Sequence, residues 1–292
     1  MGAISLYARP SATFAQKLEN SKALLRAAAL QYLPMTQASS LGAEDMVISH
    51  LVAETGIACS IFVLDTRMLH AQTLALVAQL QERYSLTVDV YRPDTAVAEN
   101  FVTEFGEDAM YKSLELRKAC CGFRKMEPLE RALAGKKSWI TGLRREQSDA
   151  RADVHDIEIQ SLIVDGKAVN RTKVNPLVEW TWGDVWHFIS LNNVPYNALH
   201  DEFFPSIGCA PCTRAVTLGE DFRSGRWWWE QQSAKECGLH VSDADAAPEG
   251  KAAAGAGAVP GLEPVAFESV SRTSSFVSFS SLSSIPIKEI KA

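Results

Sequence analysis

The 292-residue chain has no apolar run approaching the roughly 20 residues needed to span a bilayer. Its N-terminus does not read as a secretory signal either, because the apolar stretch from Leu24 to Leu30 is short and broken by Arg26. Position 6 is Leu6, so the opening Met-Gly misses the myristoylation pattern. A cytoplasmic protein with reduced thiols is expected, which argues against a disulfide scaffold. Positive charge is also in short supply. Lys and Arg number 29 against 35 Asp and Glu, a formal net charge of -6, so the chain has no general attraction for nucleic acid, and no membrane partner is expected. Cysteine is rare, with six in all, and the information lies in how they are placed.

Cys120 and Cys121 are adjacent, Cys209 and Cys212 form a Cys-x-x-Cys pair, and Cys237 stands alone in Lys235-Glu236-Cys237-Gly238-Leu239-His240. Four thiolates are what an iron–sulfur cluster requires. Zinc ribbons space both of their cysteine pairs, so adjacency makes iron the first reading and zinc the second. Cys237, with Lys235 and His240 nearby, has the cationic setting that lowers a thiol's pKa and suits a nucleophile. Cys59, inside the apolar run from Ile57 to Leu64, reads as a small core residue.

Apolar spacing predicts helices over 13–32, 46–53, 69–83 and 95–105, with strands at 59–64, 86–91 and 138–142. Strands alternating with helices predict an α/β fold with a parallel sheet covered on both faces, whose ligands bind at the carboxyl ends of the strands. The loop Ser39-Ser40-Leu41-Gly42-Ala43-Glu44-Asp45 opens a helix and suits either a phosphate at its N-terminus or a plain cap. Arg144, Arg145 and Arg151, and further on Arg223 and Arg226, form basic clusters that are either solvated faces or an anion site. Trp180, Trp182 and Trp186 with Val185 and Ile189 read as a helix packed on the sheet, and Trp227-Trp228-Trp229 as packing rather than a stacking platform. His70, His155 and His187 read as structural. Residues 241–292, rich in Ala, Gly, Pro and Ser, predict a disordered extension.

Eight motifs in order carry a resemblance. They are Ser39 to Asp45; Leu64-Asp65-Thr66; Cys120-Cys121-Gly122-Phe123-Arg124-Lys125; Thr141-Gly142-Leu143-Arg144-Arg145-Glu146-Gln147-Ser148; Lys173-Val174-Asn175-Pro176-Leu177; Gly208-Cys209-Ala210-Pro211-Cys212; Arg223-Ser224-Gly225-Arg226 with the three tryptophans; and Glu236-Cys237-Gly238-Leu239-His240. On these the chain resembles the assimilatory adenylyl-sulfate (APS) reductases, the iron–sulfur branch of the PAPS/APS reductase family.

The resemblance implies a doubly wound, mostly parallel sheet of the adenine-nucleotide alpha-hydrolase type, related to the ATP pyrophosphatases. The catalytic domain would span 1–240, with a mobile segment at about 228–240 carrying the catalytic cysteine. Substrate would be bound by Ser39, Ser40, Leu41, Gly42, Ala43, Glu44 and Asp45, by Leu64, Asp65 and Thr66, by Gly142, and by Arg144, Arg145, Arg151, Arg223 and Arg226. Cys120, Cys121, Cys209 and Cys212 would hold one 4Fe-4S cluster, with Lys125 between it and the substrate anion. Cys237 and His240 would do the chemistry: adenylyl sulfate would be reduced to sulfite and AMP through an S-sulfocysteine that thioredoxin, or glutaredoxin, resolves. A homo-oligomer is common among similar enzymes. Alternatives are a 3′-phosphoadenylyl-sulfate (PAPS) reductase, an iron–sulfur tRNA-thiolating enzyme, for which the Ser-Gly-Gly-Lys loop is missing, and a non-catalytic zinc module. Arg67 follows Leu-Asp-Thr where relatives usually have Gly.

Overall fold

The computed structural model describes residues 2–164, 167–217, 219–230 and the strand at 273–276. The N-terminal helices α1 (Ala3–Tyr7) and α2 (Phe14–Gln31) lead into β1 (Met35–Ser39), α3 (Ala43–Thr55), β2 (Cys59–Leu64), α4 (Ala71–Tyr84) and β3 (Val88–Tyr91). Three helices follow, α5 (Thr95–Phe105), α6 (Ala109–Lys112) and α7 (Leu114–Cys121), and a π-helical turn, Gly122–Met126, joins α7 to α8 (Glu127–Leu133). The chain then forms β4 (Ser138–Ile140), β5 (Ile157–Val164), β6 (Lys167–Val174) and α9 (Trp182–Asn192), and β7 (Thr273–Phe276) adds an edge.

The sheet order is β3-β2-β1-β4-β6-β5-β7. From β3 to β6 every pairing is parallel, and β5 runs antiparallel between β6 and β7. This is the α/β, mostly parallel arrangement that the alternation of apolar segments predicts. Alternate residues of a strand point to opposite faces, and the core divides accordingly. Ile61, Val63 and Ile140 join α2, α3 and α9 on one face, while Phe62 and Trp139 meet Leu129, Ala132 and Leu133 of α8 on the other.

Several boundaries follow from single residues. Asp94 caps α5 by accepting the Val97 amide at 3.1 Å, and Gly106 closes it. Thr181 and Asp184 form a reciprocal capping box that starts α9. The expected helices at 13–32, 69–83 and 95–105 are present within two residues, and the helix expected at 46–53 is longer, as α3. The β5–β6 hairpin is an addition that the apolar pattern did not indicate. Of the extension at 241–292, only Thr273–Phe276 falls among the described residues.

Candidate active site

A cavity of about 190 Å³ opens at the carboxyl ends of β2, β1 and β4, where the order of the parallel strands places the crevice of such sheets. Ala38, Phe62, Leu64, Leu129 and Trp139 give it an apolar wall on the α8 face. Lys125, Arg151, Arg223 and Arg226 bring positive charge to it, and Trp227 lines it beside Arg226. An aromatic or purine ring suits the first part and an anion the second.

The loop after β1 is held from within. Leu41 adopts a left-handed conformation, φ 61°, and its side chain, like that of Ala43, is buried in the core, so Ser39, Ser40 and Gly42 face the cavity. The Asp45 carboxylate accepts both the amide and the hydroxyl of Ser40 at 2.6 Å. It therefore ties the loop before α3 back to the first turn of that helix. Burial pushes the Asp45 carboxyl up to about 6 even though the Ser40 bonds work against it. Glu44 is buried too, but the Arg144 charge and the Gln147 hydrogen bond outweigh burial and hold it below the usual carboxylate range.

Gly142 belongs to this arrangement because a Cβ there would come within 2.6 Å of Asp45 Oδ1 and 2.9 Å of Glu44 Cβ. Gln147 ties the rest together. Its amide nitrogen donates to Glu44 Oε1 and to the Gly142 carbonyl, and its oxygen accepts from the Arg144 amide and from Arg151.

The sequence singled out six arginine and lysine residues, and they divide. Lys125, Arg151, Arg223 and Arg226 line the cavity. Arg144 does not: it is 1% exposed, bonded to Glu44 at 3.0 Å and Glu146 at 2.8 Å, and covered by Trp182 and Phe222. Arg145 turns away to Glu179 and the Val154 carbonyl. Leu64-Asp65-Thr66 splits in the same way. Leu64 lines the cavity, Asp65 accepts from Arg67 and Arg92, and Thr66 faces the cysteines, its hydroxyl 3.2 Å from Cys209 Sγ. Arg67 has φ 57°, the left-handed conformation a glycine adopts most readily, and donates to Thr95 at 2.9 Å.

Cys120 and Cys121 end α7, and the wider π turn after them carries Arg124 and Lys125. Cys209 and Cys212 flank a short 3-10 turn held against Met68 through the Ala210 amide at 2.7 Å. Cys121, Cys209 and Cys212 share a cluster with Met68 and Trp227, and Cys120 packs on Met68 from the adjoining one. Among the described residues no group of three or more Cys, His, Asp or Glu is assembled as a metal-binding set. The chemistry of the surroundings nonetheless suits an anionic cluster. Arg117 and Arg124 set positive charge beside Cys121 and Cys120, while Arg124 Nε, Arg226 Nε and Trp227 Nε1 are buried donors with no hydrogen-bond partner. Burial and the charges of Cys209 and Cys120 push the Cys212 thiol up to about 12, against the pull of Arg226 and Lys125. Lys125 therefore reaches both the cavity and the cysteines. Cys237 and His240 lie outside the described residues.

Sequence reasoning gave no role to several cavity residues, Gln147 and His200 among them. Gln147 sat inside a quoted motif with no role attached. His200 gives no local signal, because its place on the wall depends on how 198–208 folds back across the strand ends.

The family described as "Phosphoadenosine phosphosulfate reductase domain" matches residues 34–215. An adenosine 5′-phosphosulfate reductase from Burkholderia cepacia is 45% identical over 228 residues, covering 78% of this chain and 89% of the relative. The enzyme of the same name from Allochromatium vinosum is 47% identical over 70% of this chain and 77% of its own. That from a serogroup A strain of Neisseria meningitidis is 45% identical over 77% and 91%. Among solved structures, the phosphoadenylyl-sulfate reductase of Candida auris in its phosphate complex superposes with a TM-score of 0.55 at 25% identity, covering 70% of this chain and 94% of that one. Strand-end cavity, cation set and ordered motifs thus accompany similarity over most of the length of these relatives, and the chain belongs to the PAPS/APS reductase family.

Proposed function

We propose that this chain reduces adenylyl sulfate to sulfite and AMP, with Cys237 as nucleophile and an external dithiol of the thioredoxin or glutaredoxin kind as reductant. The observation that carries the reading is the cavity itself, apolar on its α8 side and lined by Lys125, Arg223 and Arg226. A nucleotide whose phosphate bears a sulfate needs both. The relatives named adenosine 5′-phosphosulfate reductase support a ribose without an added phosphate.

In the proposed reaction the Cys237 thiolate attacks the sulfate sulfur, an S–S bond forms, and the S–O bond to the phosphate breaks. The electron pair leaves on AMP, whose developing charge the cavity cations stabilise. A partner thiolate then attacks Cys237 Sγ and releases sulfite. Its second thiol closes the partner's disulfide, so the two electrons come from the dithiol. Cys120, Cys121, Cys209 and Cys212 would hold an iron–sulfur cluster, supplying a structural tie and a local negative charge for the surrounding cations. Lys125 would hold the sulfate close to Cys237.

The test is sulfite release by anaerobically purified protein with thioredoxin, comparing APS with PAPS. Cys237→Ser is the control. Preference for APS and a dead serine variant are expected. Preference for PAPS would overturn the substrate assignment, and sulfite release by Cys237→Ser would overturn the nucleophile.

A further inference from the structure

The buried acceptors of the loop wall are already in use: Asp45 serves Ser40, and Glu44 serves Arg144 and Gln147. His200 differs. It lies in the 3-10 turn Ala198–Glu202, is 3% exposed and lines the cavity. Its Nδ1 is 2.7 Å from the Phe204 carbonyl oxygen, which only accepts, so Nδ1 carries the hydrogen and Nε2 keeps a lone pair. Nε2 is buried and has no hydrogen-bond partner. Trp182 and Trp186 pack edge-on against the ring, at 5.9 and 5.2 Å between centroids, and restrict its orientation. Burial pushes the ring's pKa down to about 4, against the opposing effects of Glu44, the Phe204 carbonyl and Asp201. At neutral pH the ring is therefore an acceptor and not a cation.

We propose that His200 binds the nucleotide, its Nε2 accepting a hydrogen bond from a ribose hydroxyl. The assignment rests on the nucleotide reading above and deepens it. Adenine's exocyclic amine and the ribose hydroxyls are the donors of an adenine nucleotide. The apolar wall that suits the base, Phe62, Leu129 and Trp139, belongs to the α8 face of the sheet. His200 instead packs on Trp182 and Trp186, which belong with α3 and α9 on the opposite face, within electrostatic reach of Glu44. With the base on one face and the phosphate held by cations, the sugar is the part that faces His200. A neutral acceptor also suits a hydroxyl and not a phosphate oxygen. Leaving a buried acceptor unsatisfied costs stability, so a hydroxyl that pairs with it gains affinity.

Trp186 Nε1 is buried and without a partner as well, so a water bridging the two rings is the competing occupant. Calorimetric titration of the full-length protein with AMP, 2′-deoxy-AMP and 3′-deoxy-AMP separates the two. One deoxy analogue is expected to bind about tenfold more weakly than AMP, the size of one buried hydrogen bond. His200→Phe, which keeps a ring between the tryptophans, is expected to bind AMP about tenfold more weakly and to lose that discrimination. His200→Gln, which retains an acceptor, is expected to recover part of it. The proposal is overturned if both analogues bind the wild type as AMP does, or if the deoxy penalty survives intact in His200→Phe. The wild-type comparison decides alone should His200→Phe not fold. Failure of the wild type to bind AMP at all would sink the nucleotide reading, and this assignment with it.

Discussion

The loop wall and the cysteine wall of the cavity are built on opposite plans. Around Ser40, Glu44, Asp45, Arg144 and Gln147, buried polar groups meet partners supplied by the protein, and Gly142 lets the backbone approach them closely. Around the four cysteines, cations converge and Arg124 Nε, Arg226 Nε and Trp227 Nε1 are buried donors with no acceptor. A satisfied network holds its own geometry without a ligand. Unsatisfied donors cost stability unless an anion completes them, so a region of that kind is where a charged group belongs. The contrast separates the part of the site that gives shape from the part that gives affinity for charge.

The largest expected effect falls on the cysteine wall. Cys209→Ser should reduce iron from about four atoms per chain to a small residue and take sulfite release to background. Iron analysis and activity on one sample check this, and full activity without iron would remove the reason for the unsatisfied donors.

Next comes the loop wall. Arg144→Ala leaves Glu44 as a buried, unpaired charge and should cost about 3–5 kcal/mol in urea unfolding. Arg226→Ala should cost less, about 1–2 kcal/mol, since its hydrogen bonds at 3.3 and 3.5 Å are weak and only its stacking on Trp227 goes with them, while raising KM for APS. Equal destabilisation by the two would erase the distinction between the walls.

The smallest effect is on pH dependence. An unfolded histidine takes up a proton below about 6.5, whereas buried His200 does so only near 4. Between those values the unfolded state binds more protons, so stability falls as pH falls, by up to about 3 kcal/mol from this group. Asp45 acts oppositely between 3.8 and about 6, because there the folded state holds the proton and stability falls as pH rises. Comparing His200→Phe with the wild type across this range isolates the histidine: the variant should lose less stability toward pH 4, and parallel curves would contradict the burial of a neutral ring.

Much of the framework was legible. The apolar run at Cys59–Leu64 became β2 with those limits, and α5 spans the 95–105 that apolar spacing predicts. β1 was harder to read because Met35-Thr36-Gln37-Ala38-Ser39 carries polar residues into the centre of the sheet. Thr36 is satisfied by the Ser60 carbonyl, and Gln37 by Ser49 and the Asp45 carbonyl. Those partners are 8 to 24 residues away, beyond any local pattern. The arginines behaved similarly. Arg144 and Arg145 are neighbours in one motif, yet one is buried on Glu44 and the other pairs with Glu179 at the surface.

Motifs and periodicity are local or depend on order alone, and they were enough to read the family and the alternating α/β order from the sequence. Only the folded chain shows which cations face the cavity, that Asp45 is taken up by Ser40, and that His200 stands on the wall with an unused acceptor. Those outcomes depend on distances between segments far apart in the chain, where burial sets whether a polar group is a structural tie or a binding group.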